Sequence, residues 1–162
     1  MRFVKVKYNY NSNTNDYKTP PAIYEMALKY LNIDKFTLDA CCSDKHIPSY
    51  LHFIKGKNDG LEEHWATYTW CNPPYNECEK WVTKAYYEVE KGYCAIAVLL
   101  LPVRTETKYW HKYILNNSNC QIQLLRKGYR FLNKSDVEMG VFKNALALVY
   151  FTQEKQETRL FT

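Results

Sequence analysis

Four consecutive residues, Asn72-Pro73-Pro74-Tyr75, combine what is needed to hold a flat ring that carries an amine. Two adjacent prolines fix φ and remove two backbone donors, so the segment is rigid and its carbonyls are available to a cleft. Asn72 adds a side-chain carbonyl and Tyr75 a flat aromatic face. Two acceptors can take both N–H bonds of an exocyclic amine while the ring stacks on the tyrosine. Such bonding draws the nitrogen toward a tetrahedral form and frees its lone pair for in-line attack. For Asn-Pro-Pro alone, a proline-rich turn after a strand is the plain structural alternative.

Three further segments carry residues suited to a ligand site. Asp39 closes the β-prone run Phe36-Thr37-Leu38-Asp39-Ala40; Asp59 lies in Asn58-Asp59-Gly60; and Pro102-Val103-Arg104-Thr105 follows an apolar run. His111, next to Trp110, suits either a substrate contact or a packed surface position. Glu62 and Glu63 read as solvated. Cys71 precedes the key asparagine, but the Pro-Cys motif of carbon-5 cytosine chemistry is absent, as is a phosphate-binding glycine loop.

The elements that must position these residues follow from periodicity and breakers. Thr19-Pro20-Pro21 opens a helix, with Thr19 as its expected cap, and Ile23, Met26, Ala27 and Tyr30 share one face. Strands are expected over 36–40, 49–54, 65–71, 93–101, 120–125, 130–132 and 145–151, and helices over 77–91 and 106–115. Strand–helix alternation implies an α/β fold with a mostly parallel sheet, and the strand-rich last third implies an antiparallel C-terminal edge. In such sheets ligands bind beyond the carboxyl ends of the strands, where Asp39, Asp59, Asn72 and Arg104 all fall. Residues 1–16 read as an arm and 17–162 as a single domain, with no internal repeat or linker.

The totals set the class. A chain of 162 residues, 46% hydrophobic and 24% charged, can bury a core without disulfide or metal staples. The six cysteines form no C-x-x-C pair and the four histidines lack zinc spacing, so no metal is expected and a reduced, cytosol-like compartment is. No stretch approaches the length of a membrane span, so no membrane partner is expected. A net charge of +5 permits a polyanionic partner without demanding one. Aromatic residues at 16% exceed what such a core needs and suit a surface that stacks against flat groups.

Asn72-Pro73-Pro74-Tyr75 resembles the [DNS]-P-P-[YFW] signature of amino-directed methyltransferases. The chain more narrowly resembles the phage-type DNA N6-adenine methyltransferases, through an ordered set of segments: Tyr17-Lys18-Thr19-Pro20, Phe36 to Ala40, Asn58-Asp59-Gly60-Leu61 with Trp65, Trp70 to Tyr75, Leu101 to Thr105 with Trp110-His111, and Lys127-Gly128-Tyr129-Arg130-Phe131. The similarity spans roughly residues 16 to 151. It implies a minimal Rossmann-like S-adenosylmethionine (SAM)-dependent methyltransferase without a separate target-recognition domain. SAM would lie against Asp39, Ala40, Asp59, Asn72 and the Thr19-Pro20 segment. The target N6 would be gripped by Asn72 and the Pro73 carbonyl, with Pro74 completing the motif and Tyr75 stacking on a base flipped out of double-stranded DNA. Arg104, Thr105, His111, Lys127 and Arg130 would meet DNA. Two departures stand out: Tyr17 replaces the usual Trp, and Asp39-Ala40-Cys41-Cys42-Ser43 lacks the glycines of the general motif. Cytosine N4 or RNA adenine as target, a silent binding module, and a homodimer covering the duplex site remain alternatives at this stage.

Overall fold

The computed structural model describes residues 17–153; the expected arm, 1–16, lies outside the described residues. The chain runs α1 (Pro21–Leu31), β1 (Phe36–Cys42), β2 (Ser49–Ile54), β3 (Tyr68–Cys71), α2 (Cys78–Glu90), β4 (Ile96–Pro102), a π-helical turn (Trp110–Leu115), β5 (Cys120–Leu124), β6 (Arg130–Leu132), β7 (Glu138–Val141) and β8 (Leu146–Thr152). Six strands form one sheet in the order β2-β1-β3-β4-β8-β5, and β6 pairs with β7 in a separate hairpin.

The first four strands of the sheet are mutually parallel. Antiparallel pairing enters at the β8 end, as expected; β8 is inserted between β4 and β5 and opposes both. Buried side chains cover both faces. On one side α1 packs Ile23, Ala27 and Leu28 with Trp70, Val98, Leu100, Leu148 and Tyr150. On the other, α2 packs Trp81, Val82, Ala85 and Val89 with Leu38, Leu99, Val149, Trp110 and Ile114. Central β4 and β8 are buried along nearly their whole length, which is why their sequences are continuous apolar runs rather than alternating ones.

Helix α1 begins one residue later than a threonine cap would require. Pro20 is its N-cap, no side chain caps it, and Thr19 is turned to another task. It ends at Asn32 in the left-handed region, φ 54°, with the Asn32 N–H bonded back to Leu28 and Lys29. β1 continues past Asp39 to Cys42, so Asp39 sits inside the strand instead of closing it. Only residues 43–48 join β1 to its parallel neighbour β2, and Phe36 at the start of β1 is in register with Ser49. A return of that length has no residues to spare for a crossover helix, and the segment is a bent loop. β3 is also shorter than expected: Trp65 precedes it in a loop, its indole N–H donating to the Gly60 carbonyl at 2.7 Å.

Candidate active site

Because β1, β3 and β4 are parallel, their carboxyl ends open on one edge of the sheet. Asn72 leaves β3 there, and the prolines keep the next residues from pairing. Pro73 is buried; the Pro74 carbonyl accepts the Glu77 N–H at 2.9 Å, turning the chain into α2. Asn72 is half-buried, and its amide Nδ2 donates to Thr19 Oγ1 at 3.1 Å, leaving the amide oxygen as acceptor for another group. Tyr75 is half-buried as well, and the edge of its ring meets Phe142, centroids 5.6 Å apart.

Thr19 is 2% exposed and pinned on its other side. Its N–H donates to His46 Nε2 at 3.1 Å, and His46 Nδ1 bonds the Asp44 carboxylate. Burial pushes the Asp44 carboxyl up, but the His46 hydrogen bond and the nearby Lys18 charge outweigh it and hold the group below its ordinary range. Lys18 exchanges both backbone hydrogen bonds with Leu132 and reaches Asp136 at 2.7 Å, which ties this segment to the β6–β7 hairpin.

Asp39 is in register with Trp70, two residues before Asn72, so parallel pairing puts it on the α1 side. It is 1% exposed, with a long 3.4 Å hydrogen bond from the Cys41 N–H. Burial drives its pKa up to about 7, against an ordinary 3.8. A buried carboxylate so lightly bonded has acceptor capacity left for a further donor. The register between β1 and β2 slips after Asp39, as an extra residue in β1 requires, and such irregularities redirect side chains at strand ends. Gly60 packs its backbone onto this bend: a Cβ there would lie 2.1 Å from the Ala40 carbonyl oxygen. Asp59 is exposed and its carboxylate accepts the Leu61 N–H at 2.9 Å, which shapes that loop beside the end of β1.

The sequence profile of the family described as DNA N-6-adenine-methyltransferase (Dam) matches residues 8–162. The chain belongs to this family. A DNA N-6-adenine-methyltransferase of Haemophilus phage HP1 (strain HP1c1) is 28% identical over 128 residues, covering 78% of this chain and 72% of the phage protein. As a member of the Dam family the protein is an adenine-specific DNA methyltransferase, an activity that requires a methyl donor.

The other expected residues of this Dam-family protein fall on the segment after β4, the π-helical turn and the approach to β6. Arg104 follows β4 and is close enough to Cys78, in the first turn of α2, for its charge to act on that thiol. Thr105 and His111 are exposed, and His111 Nε2 bonds the Thr105 carbonyl at 2.7 Å, so the histidine braces its own loop. Lys127 and Arg130 are exposed on the hairpin and the turn leading into it. Cys71 is fully buried, and burial raises its thiol far from thiolate character, which suits packing rather than attack. Among the described residues no group of His, Cys, Asp and Glu side chains could hold a metal ion, and no helix is long and apolar enough to cross a membrane. Sequence reasoning missed His46, Asp44 and Phe142, whose roles depend on contacts distant in the chain. It gave Gly60 no role beyond its place in the Asn58-Asp59-Gly60-Leu61 segment.

Proposed function

We propose that this Dam-family enzyme takes its methyl group from SAM and delivers it to N6 of an adenine extruded from double-stranded DNA. The observation that carries the reading is Asn72-Pro73-Pro74-Tyr75 at the end of central parallel strand β3, with the Asn72 amide held by Thr19 at 3.1 Å. When bound, SAM supplies an electrophilic methyl on sulfur. The Asn72 amide oxygen and the Pro73 carbonyl accept the two N6 hydrogens, and the amine lone pair turns toward the donor. Tyr75 offers its face to the base, braced at its edge by Phe142. The methylated amine sheds its proton to water, so no side chain needs to act as a strong base.

Asp39 would receive the methionine amine of SAM, with Ala40 and Asn72 as neighbours and Thr19-Pro20 along the other side. Asp59 would face the adenosine end. Arg104, Thr105, His111, Lys127 and Arg130 would meet the DNA backbone or base edges. The continuous sheet with one tied-on hairpin supports reading 17–162 as one catalytic domain. A homodimer would extend its small footprint along the duplex. The cytoplasm, that of the host for a viral enzyme, is where such a substrate is met.

The test is transfer of labelled methyl from SAM to unmethylated duplex DNA, followed by nucleoside mass spectrometry. Deoxy-N6-methyladenosine as the labelled product is expected. Label on cytosine, or no labelled nucleoside together with no SAM binding by calorimetry, would refute the reading.

A further inference from the structure

The Asn72 side chain has chemically opposite ends on one planar group. With its carbonyl facing the cleft it accepts an N–H; turned over, it presents an NH2 to an amine that also needs acceptors. The torsion that interconverts the two has broad, roughly twofold wells, so local sterics do not decide between them. A neighbour holds the side chain: a hydroxyl can give or take a hydrogen bond, and here it takes one from the amide nitrogen, which leaves the amide oxygen for another group. Asn72 Nδ2 donates to Thr19 Oγ1 at 3.1 Å, from a residue 53 positions away in the chain.

Thr19 is built to stay where it is. It is 2% exposed, and its N–H donates to His46 Nε2 at 3.1 Å. Because that nitrogen accepts, the neutral imidazole carries its proton on Nδ1 and donates it to Asp44. Before Thr19, Lys18 is paired with Leu132 through both of its backbone groups, at 2.8 and 3.1 Å. After it, Pro20 fixes φ at −56°. The threonine thereby forgoes the capping bond that its place before α1 would otherwise favour.

We infer that Thr19 is a positioning residue for methyl transfer: its hydroxyl holds the Asn72 amide with the carbonyl toward the target amine. This rests on Asn72 being the acceptor of that amine. Thr19 acts on methyl transfer through Asn72, so its effect on the rate of the bound complex exceeds any effect on SAM affinity that its place beside the ligand brings.

Thr19→Val keeps the shape and removes the hydroxyl; Thr19→Ala does so without adding a methyl and serves if the valine variant folds poorly by circular dichroism. Expected is a fall in kcat of about tenfold or more. The SAM dissociation constant should change by a smaller factor than kcat, the KM for duplex by less than about twofold, and Thr19→Ser should restore kcat. Unchanged kcat in the folded hydroxyl-free variant overturns the inference, as does a parallel loss of SAM affinity or a failure of serine to restore the rate. Asn72→Ala separates the two levels. If it stays active, the amine grip itself is wrong; if it is inactive while Thr19→Val is fully active, the grip stands and only the role of Thr19 falls.

Discussion

At the scale of single residues, the proposed mechanism draws reactivity from how acceptors are held and not from an unusual nucleophile or base. Asn72→Ala removes the side-chain acceptor and should abolish methyl transfer while leaving SAM binding nearly intact by calorimetry; a folded variant that loses SAM affinity would contradict its assignment. Tyr75→Ala removes a stacking face worth about 1–3 kcal/mol per base, so it should weaken use of duplex more than SAM binding. Unchanged activity in that variant would take Tyr75 out of the base pocket. Asp39 makes a prediction about stability. Its folded pKa, about 7, lies above the ordinary 3.8, so its contribution is fully present below pH 3.8 and is lost as the pH rises to about 7. Asp39→Asn should therefore stabilise the SAM-free protein at pH 7 and above, by on the order of 2–4 kcal/mol, with the gain vanishing toward pH 4. Denaturant melts across that range would show it, and a gain independent of pH would contradict the cause. The same variant should bind SAM more weakly, because it removes the charge that the ligand's amine would meet.

At the scale of elements, the bend after Asp39 and the loop holding Gly60 form one unit, since the Cβ of any other residue at 60 would meet a backbone oxygen at 2.1 Å. Gly60→Ala should cost about 1–3 kcal/mol, read as a lower melting temperature, and should weaken SAM binding by displacing Ala40. A melting temperature within a degree of the parent would show the loop to be more pliant than this contact implies. This unit also marks where the sequence was legible and where it was not. The apolar run of β4 and the amphipathic stripe of α1 announced themselves, because burial on both faces or on one face leaves a direct pattern. The side chains proposed for the site, Asn72, Asp39 and Asp59, stood out in the sequence because polar acceptors in and just after β-prone runs suit a ligand. The bulge in β1, the exchange of Thr19 from capping to bracing, and the His46–Asp44 pair did not. The bulge is settled by pairing with β2, and the other two by Thr19 meeting Asn72 and His46, 53 and 27 positions away, about which local spacing is silent. β7, with Glu138 and Gly140 in a four-residue strand, carries too little alternation to stand out from the loop around it.

At the scale of the molecule, a net charge of +5 is modest for an enzyme that must hold a duplex, so placement of charge matters more than its sum. Lys127 and Arg130 lie on and beside a hairpin tied to the Thr19 segment by the Lys18–Leu132 bridge. The double variant Lys127→Ala/Arg130→Ala should weaken duplex binding across sequences and lower the slope of log K against log salt by about 2. Fluorescence anisotropy over a salt series measures this, and an unchanged slope would place neither residue on phosphate.

The position of β8 in the sheet has a consequence for how the enzyme comes into being. Strand β5 is made before β8, yet β8 is its pairing partner in the sheet and also closes the open side of β4. During synthesis the apolar edge of β4 and the whole of β5 must wait, unpaired, through the hairpin and on to residues 146–152. Long-range pairing of this kind slows folding and leaves strand edges open to other chains meanwhile. The nascent enzyme is thus most vulnerable to aggregation just before its last sheet strand emerges, when the sheet cannot yet close.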